Sequence, residues 1–111
     1  VASSVLPAPL TIDERRGLGR ISLVLDGELD LSGTRHLAEH LAQLRRTYRG
    51  RLVLDLRGLT WVDSSALGVL ISADAYARQD GWVLEIVPGA PEIQRVFARC
   101  GLLDQLPFRT S

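Results

Sequence analysis

Two adjacent serines behind an aspartate, Asp63-Ser64-Ser65, are the residues of this chain whose types and spacing are best suited to chemistry. A serine hydroxyl can attack a substrate once a base removes its proton, can cap a helix, or can accept a phosphate. The first use needs a strained elbow such as Gly-x-Ser-x-Gly and a histidine base. Neither flanking glycines nor a well-placed histidine accompanies Ser64 or Ser65. Nucleotide hydrolysis through a Gly-x-x-x-x-Gly-Lys loop has no support either, since all 13 basic residues are arginine. The chain is therefore expected not to be an enzyme. A small hydrolase using Ser64 stays as a rival, which a reactive serine probe would expose.

The remaining candidates have duller readings. His36 and His40 lie four apart, a spacing that can hold a metal on one helix face, but no third ligand is evident and no metal or other cofactor is expected. Arg45, Arg46, Arg49 and Arg51 form a basic cluster where cations at a helix C-terminus are favoured by the macrodipole, so a solvated face is expected rather than a nucleic-acid site. The 13 acidic residues cancel the 13 basic ones, and no excess field points to nucleic acid or to an anionic membrane. Cys100 is the single cysteine, which excludes an internal disulfide, fits a reducing cytoplasm and reads as a buried small hydrophobe. No apolar run approaches the roughly 20 residues of a membrane span, and no basic-then-apolar leader is seen, so a cytoplasmic protein without membrane insertion is expected. The first residue is valine, which leaves an upstream segment open.

The elements that must position the serines follow from periodicity. The length of 111 residues suits one domain. Val1 to Leu10, with two prolines and two serines, reads as a flexible lead-in over residues 1–8 that runs into an edge strand. Ile21, Leu23 and Leu25 alternate with polar neighbours, the pattern of a strand with one buried face, and Gly27 is expected to end it. Asp30 or Ser32 can cap a helix carrying Leu37, Leu41 and Leu44 inward, which stops before Gly50. Leu52, Val53, Leu54 and Leu56 around Asp55 predict a central strand covered on both faces, with a turn at Gly58. A second helix opens at Asp63-Ser64-Ser65 and runs to Arg78, with Leu67, Leu70, Ile71 and Asp74 on one side and Gly81 as its stop. Trp82 to Val87 predicts a third strand, Glu92 to Cys100 a short helix with Ile93, Val96 and Phe97 inward, and Leu102 to Phe108 a last short element. Strands alternating with helices give an α/β fold: a mixed sheet of four to five strands covered by about three to four helices.

A helix N-terminus welcomes a phosphate, because its unpaired N–H groups and dipole stabilise the added anion. Glu28 and Asp30, from the earlier strand-to-helix turn, belong on the same sheet edge as Asp63, so a phosphate there would make that edge strongly negative. From Ala66 to Ala73 the following helix carries no charge, which leaves part of its flank apolar for a partner.

Leu-Arg-Gly-Leu-Thr-Trp-Val-Asp-Ser-Ser-Ala-Leu-Gly-Val-Leu, residues 56 to 70, resembles the signature of the anti-sigma-factor antagonists of the STAS domain family. Asp26-Gly-Glu-Leu-Asp30 is similar to the family's earlier motif, and Phe97-Ala-Arg-Cys-Gly-Leu-Leu to its closing helix and turn. The resemblance implies a STAS domain over residues 9–111 that binds an anti-sigma factor, itself a serine kinase, and so frees the sigma factor. It implies phosphorylation at the serine following the aspartate, Ser64, with Ser65 in the lesser role, and a serine phosphatase as a further partner. No direct contact with nucleic acid and no small-molecule substrate is implied. The residues expected to meet the partner are Glu28, Asp30, Asp63, Ser65, Ala66 and Val69. Ala66 stands where the family usually has glycine, which says that a positive φ is not needed there. The alternative is a fixed docking module of the same fold, in an anion transporter or as a subunit of a lipid-transport complex.

Overall fold

The computed structural model describes residues 8–109. Residues 1–7 of the expected lead-in lie outside the described residues. Seven elements follow in chain order: β1 (Thr11–Gly17), β2 (Arg20–Leu29), α1 (Leu31–Thr47), β3 (Arg51–Val62), α2 (Ser64–Asp80), β4 (Val83–Val87) and α3 (Pro91–Arg99). They build a mixed four-stranded sheet in the order β1-β2-β3-β4, with β1 antiparallel to β2 and the other pairs parallel. This is the expected α/β architecture at the lower end of both counts.

One core holds it together. Ile21, Leu23 and Leu25 of β2, Leu52, Leu54 and Leu56 of β3, and Leu84 and Ile86 of β4 point to one face of the sheet. Leu37, Leu41 and Leu44 of α1, Leu67 and Leu70 of α2, and Ile93 and Phe97 of α3 pack down on them. Phe108, beyond α3, closes the end of this core edge-on against Phe97, with ring centroids 5.1 Å apart. Leu102 to Phe108 adds turns and a single bridge from Phe108 to Ile86 rather than a further strand.

The helices cover one face only, which corrects the expectation for β3. Val53 and Val87 are buried but take no part in the helix-covered core. Across this open face the register aligns Arg15, Ser22, Val53 and Glu85 in one row, with Asp13, Val24, Asp55 and Val87 beside them. Long arginine side chains, whose apolar stems can lie along such a surface, rim the valines in place of a helix.

Other boundaries differ for identifiable reasons. β2 does not end at Gly27 but continues to Leu29, because irregularities between Val24 and Asp26 and between Gly27 and Glu28 absorb the mismatch with β3. Gly27 has φ of 99°, and a Cβ there would stand 2.6 Å from the Pro9 carbonyl oxygen, so the close approach of the entering chain requires glycine. Likewise no turn forms at Gly58; β3 runs through it to Val62. The edge strand expected at the end of the lead-in lies further along the chain as β1, where Ile12 alone among Thr11–Gly17 is a large apolar residue. Ile71 points outward at 47% exposure, because α2 turns only Leu67, Leu70, Ala73 and Ala77 inward along with Ala66. Cys100 is exposed rather than buried: α3 ends at Arg99 before another helical turn could bring it under Phe97.

Candidate functional site

The parallel pairing of β2 and β3 brings two strand-to-helix turns side by side. Glu28 is in register with Trp61 and Leu29 with Val62, and the Asp63 amide donates to the Leu29 carbonyl at 3.4 Å. Each turn ends in an aspartate that caps the helix behind it. Asp30 Oδ1 accepts from the Gly33 amide at 2.9 Å, and Asp63 Oδ1 accepts from the Ser65 amide at 3.0 Å. Both caps satisfy N–H groups that a helix end leaves without partners. The acidic edge expected from Glu28, Asp30 and Asp63 is thus assembled, and Asp30 and Asp63 border a shallow cavity of about 720 Å³ that also takes in His36 and Glu39.

The two serines have different surroundings. The Ser65 hydroxyl donates to Asp63 Oδ1 at 2.5 Å and receives the Thr34 hydroxyl at 3.2 Å, tying the start of α2 to the buried face of α1. Ser64, the first residue of α2, is exposed, and its hydroxyl takes no hydrogen bond among the described residues. It stands where the helix offers N–H groups and positive potential to an anion.

The expected partner face is divided. Ser65 and Val69 line a groove of about 630 Å³ between α1 and α2, floored by small residues such as Ala42, Gly68 and Ala73. Ala66 lies in neither the edge nor the groove: it is 0% exposed, facing the core one helical turn before Leu70, so it is removed from the contact surface. Its backbone is ordinary, for every positive φ among the described residues belongs to a glycine. Trp61, 55% exposed and beside Glu28, adds an aromatic surface to this edge that the sequence reading did not single out; its alternation with the buried Val62 was the available signal.

The duller candidates separate accordingly. His40 turns to Glu14 of β1, with Nε2 2.7 Å from Oε1, while His36 stays at the edge cavity. Among the described residues no group of three or more His, Cys, Asp or Glu is placed to hold a metal. Arg45 pairs with Asp80 at 2.6 Å with its guanidinium 4.0 Å from the Tyr76 ring centroid, and Arg49 donates to the Arg45 and Tyr48 carbonyls at the end of α1. No helix among the described residues is long and apolar enough to cross a membrane.

Known proteins share this fold. An anti-sigma factor antagonist from Mycobacterium paratuberculosis superposes with a TM-score of 0.78 at 20% identity, over 96% of this chain and 92% of that one. The anti-sigma factor antagonist SpoIIAA in its unphosphorylated form gives 0.74 at 16% identity, over 91% and 90% of the two chains. The phosphorylated form of SpoIIAA, a Bacillus cell fate determinant, gives 0.70 at 16% identity, over 91% and 93%. At such identities these likenesses establish the fold. The sequence itself matches, over residues 12–107, the family model described as "Mlab, STAS domain". With that match spanning nearly the whole chain, this protein belongs to the STAS domain family.

Proposed function

We propose that this domain is an anti-sigma-factor antagonist: unphosphorylated, it binds a serine-kinase anti-sigma factor in the cytoplasm, and phosphorylation of Ser64 by that kinase releases it. The observation that carries the reading is the contrast between the serines. Ser64 offers an exposed hydroxyl without a hydrogen-bond partner, whereas the Ser65 hydroxyl is held by Asp63 and Thr34. Glu28, Asp30 and Asp63 form the edge the partner reads, and Ser65 and Val69 border the adjoining groove. A phosphate brings roughly −1.5 to −2 charges at neutral pH. At a helix N-terminus it leaves the fold intact, but pressed into an interface beside Asp63 it is an unpaired buried anion, which is costly. A serine phosphatase would reset the switch. The likeness to SpoIIAA structures in both forms supports a fold that tolerates the modification.

The test is to incubate the protein with the serine-kinase anti-sigma factors of its source cell and ATP, then to map the phosphopeptide and measure affinity. We expect modification of Ser64, none in Ser64→Ala, constitutive binding by that variant, and affinity lower by orders of magnitude once Ser64 is modified. An aspartate at this position imitates the phosphate only in part. Mapping to Ser65 or Thr60, or equal affinity of all forms, would overturn the reading. One second reading keeps the fold and makes the domain a fixed docking module, in an anion transporter or as a subunit of a lipid-transport complex. A pull-down with unmodified protein that returns a transport ATPase instead of a kinase would select it.

A further inference from the structure

The open face of the sheet, away from α2 and Ser64, has a charge imbalance that the net neutrality of the chain conceals. Of its four carboxylates, Asp13, Asp55 and Glu85 hold ion pairs, with Arg15 at 2.9 Å, Arg57 at 2.7 Å and Arg109 at 2.7 Å, while Asp26 stands exposed at the far end beside Thr11. Arg20 and Arg51 remain, and neither forms an ion pair among the described residues. They are direct cross-strand neighbours on β2 and β3. Like charges in that position repel, and the carboxylate whose field both arginines share, Glu85, is already paired with Arg109, so an external anion would relieve the pair.

Next to Arg20 the face hollows into a cavity of about 380 Å³, with Arg57 and Arg109 on its rim and Val24, Val53 and Val87 on its floor. The volume is that of a small-ligand site, at the low end of the usual range of roughly 300–1,000 Å³. The floor calls for an apolar body, the rim for an anion. Guanidinium groups bind phosphate with paired, charge-assisted hydrogen bonds, which a phosphate monoester accepts through its terminal oxygens.

We propose that this cavity binds a small organic phosphate monoester, its phosphate held by Arg20 with Arg51 beside it, and its apolar part resting on Val24, Val53 and Val87. The site is independent of the switch at Ser64. A flat membrane surface would meet the arginine rim without reaching the valine floor, so a discrete ligand fits better.

The test is a titration of the nitrogen-15-labelled full chain with phenyl phosphate, inorganic phosphate and sulfate at matched ionic strength, followed through the backbone amides. Phenyl phosphate should shift Ser22, Val24, Val53, Asp55 and Val87, and bind roughly five- to tenfold more tightly than inorganic phosphate because part of the ring leaves water. Arg20→Gln should weaken binding about tenfold, the value of one charge-assisted hydrogen-bonded contact. Arg51→Gln should weaken it as well, and Arg78→Gln on α2 should not. Both open-face variants should unfold at or above the parent temperature, since each relieves repulsion. Equal responses to sulfate and phenyl phosphate, or shifts spread over arginines of both faces, would overturn the proposal. Tighter binding of a hexaglutamate peptide than of phenyl phosphate would also overturn it, in favour of an acidic protein segment.

Discussion

Asp63 Oδ1 accepts both the amide and the hydroxyl of Ser65, at 3.0 and 2.5 Å, so this side chain is at once a helix cap and a clamp on its neighbour. Because the Thr34 hydroxyl reaches the same Ser65 oxygen from a buried position, Ser65→Ala strands a buried donor. The expected loss is about 1–2 kcal/mol of unfolding free energy, while Ser64→Ala stays within about 0.5 kcal/mol. Urea unfolding of the two variants checks this. Equal stabilities would mean that Ser65 is not the structural member of the pair.

The facing of α2 is tested by two neighbouring residues. Leu70 is 0% exposed, so Leu70→Ala should cost about 2–5 kcal/mol. Ile71 is 47% exposed, and Ile71→Ala should cost less than about 1 kcal/mol. Melting temperatures that fall equally for both would show the helix rotated from the position described.

Which parts were legible in the sequence follows the same logic of burial. The alternation of Ile21, Leu23 and Leu25, the spacing of Leu37, Leu41 and Leu44, and the stop at Gly81 each record contact with one core, and each predicts its element. Gly81 ends α2 in the left-handed conformation at φ 79°, where glycine alone is unstrained. β1 left no such record: an edge strand facing water gains nothing from apolar residues, and Glu14 and Arg16 spend its inner side on an ion pair. Val53 misled for the opposite reason, since an apolar run cannot tell burial under a helix from burial under arginine stems. At the site, residue types marked Asp63, Ser64 and Ser65, but which serine is held and which is free depends on Thr34, 31 positions away from Ser65.

Acid should remove a stabilising contribution from the open face. The Arg57 guanidinium holds the Asp55 carboxyl below its usual range, and Arg109 does the same for Glu85. Each group binds a proton less readily in the folded state than in the unfolded chain. The stability it contributes is therefore complete above the ordinary carboxyl value, 3.8 for aspartate, and is lost as pH falls through the lower folded value. Unfolding measured from neutral pH downward should show a shallower acid-side slope in Asp55→Asn than in the parent. An unchanged slope would mean that the Asp55 and Arg57 pair, half of it exposed, is screened to insignificance.

Trp61 should be the energetic centre of partner binding, given the proposed function. It lies two residues before Asp63 and in register with Glu28, so its 55% exposed ring borders the acidic edge. A tryptophan left half in water gains full burial only when a partner covers it, and such residues dominate interface energetics. Trp61→Ala should leave the melting temperature nearly unchanged yet weaken binding about thirtyfold or more, the equivalent of roughly 2 kcal/mol. The same ring offers an optical readout. The only other tryptophan, Trp82, is buried, and its Nε1 has no hydrogen-bond partner among the described residues, so Trp82→Phe gives up no such bond. In that background the emission comes from Trp61 alone and should shift to shorter wavelength as the partner excludes water. Phosphorylation of Ser64 should abolish the shift. A complex that forms with Trp61 emission unchanged would place the interface elsewhere, and an unaltered affinity for Trp61→Ala would remove the ring from the binding surface.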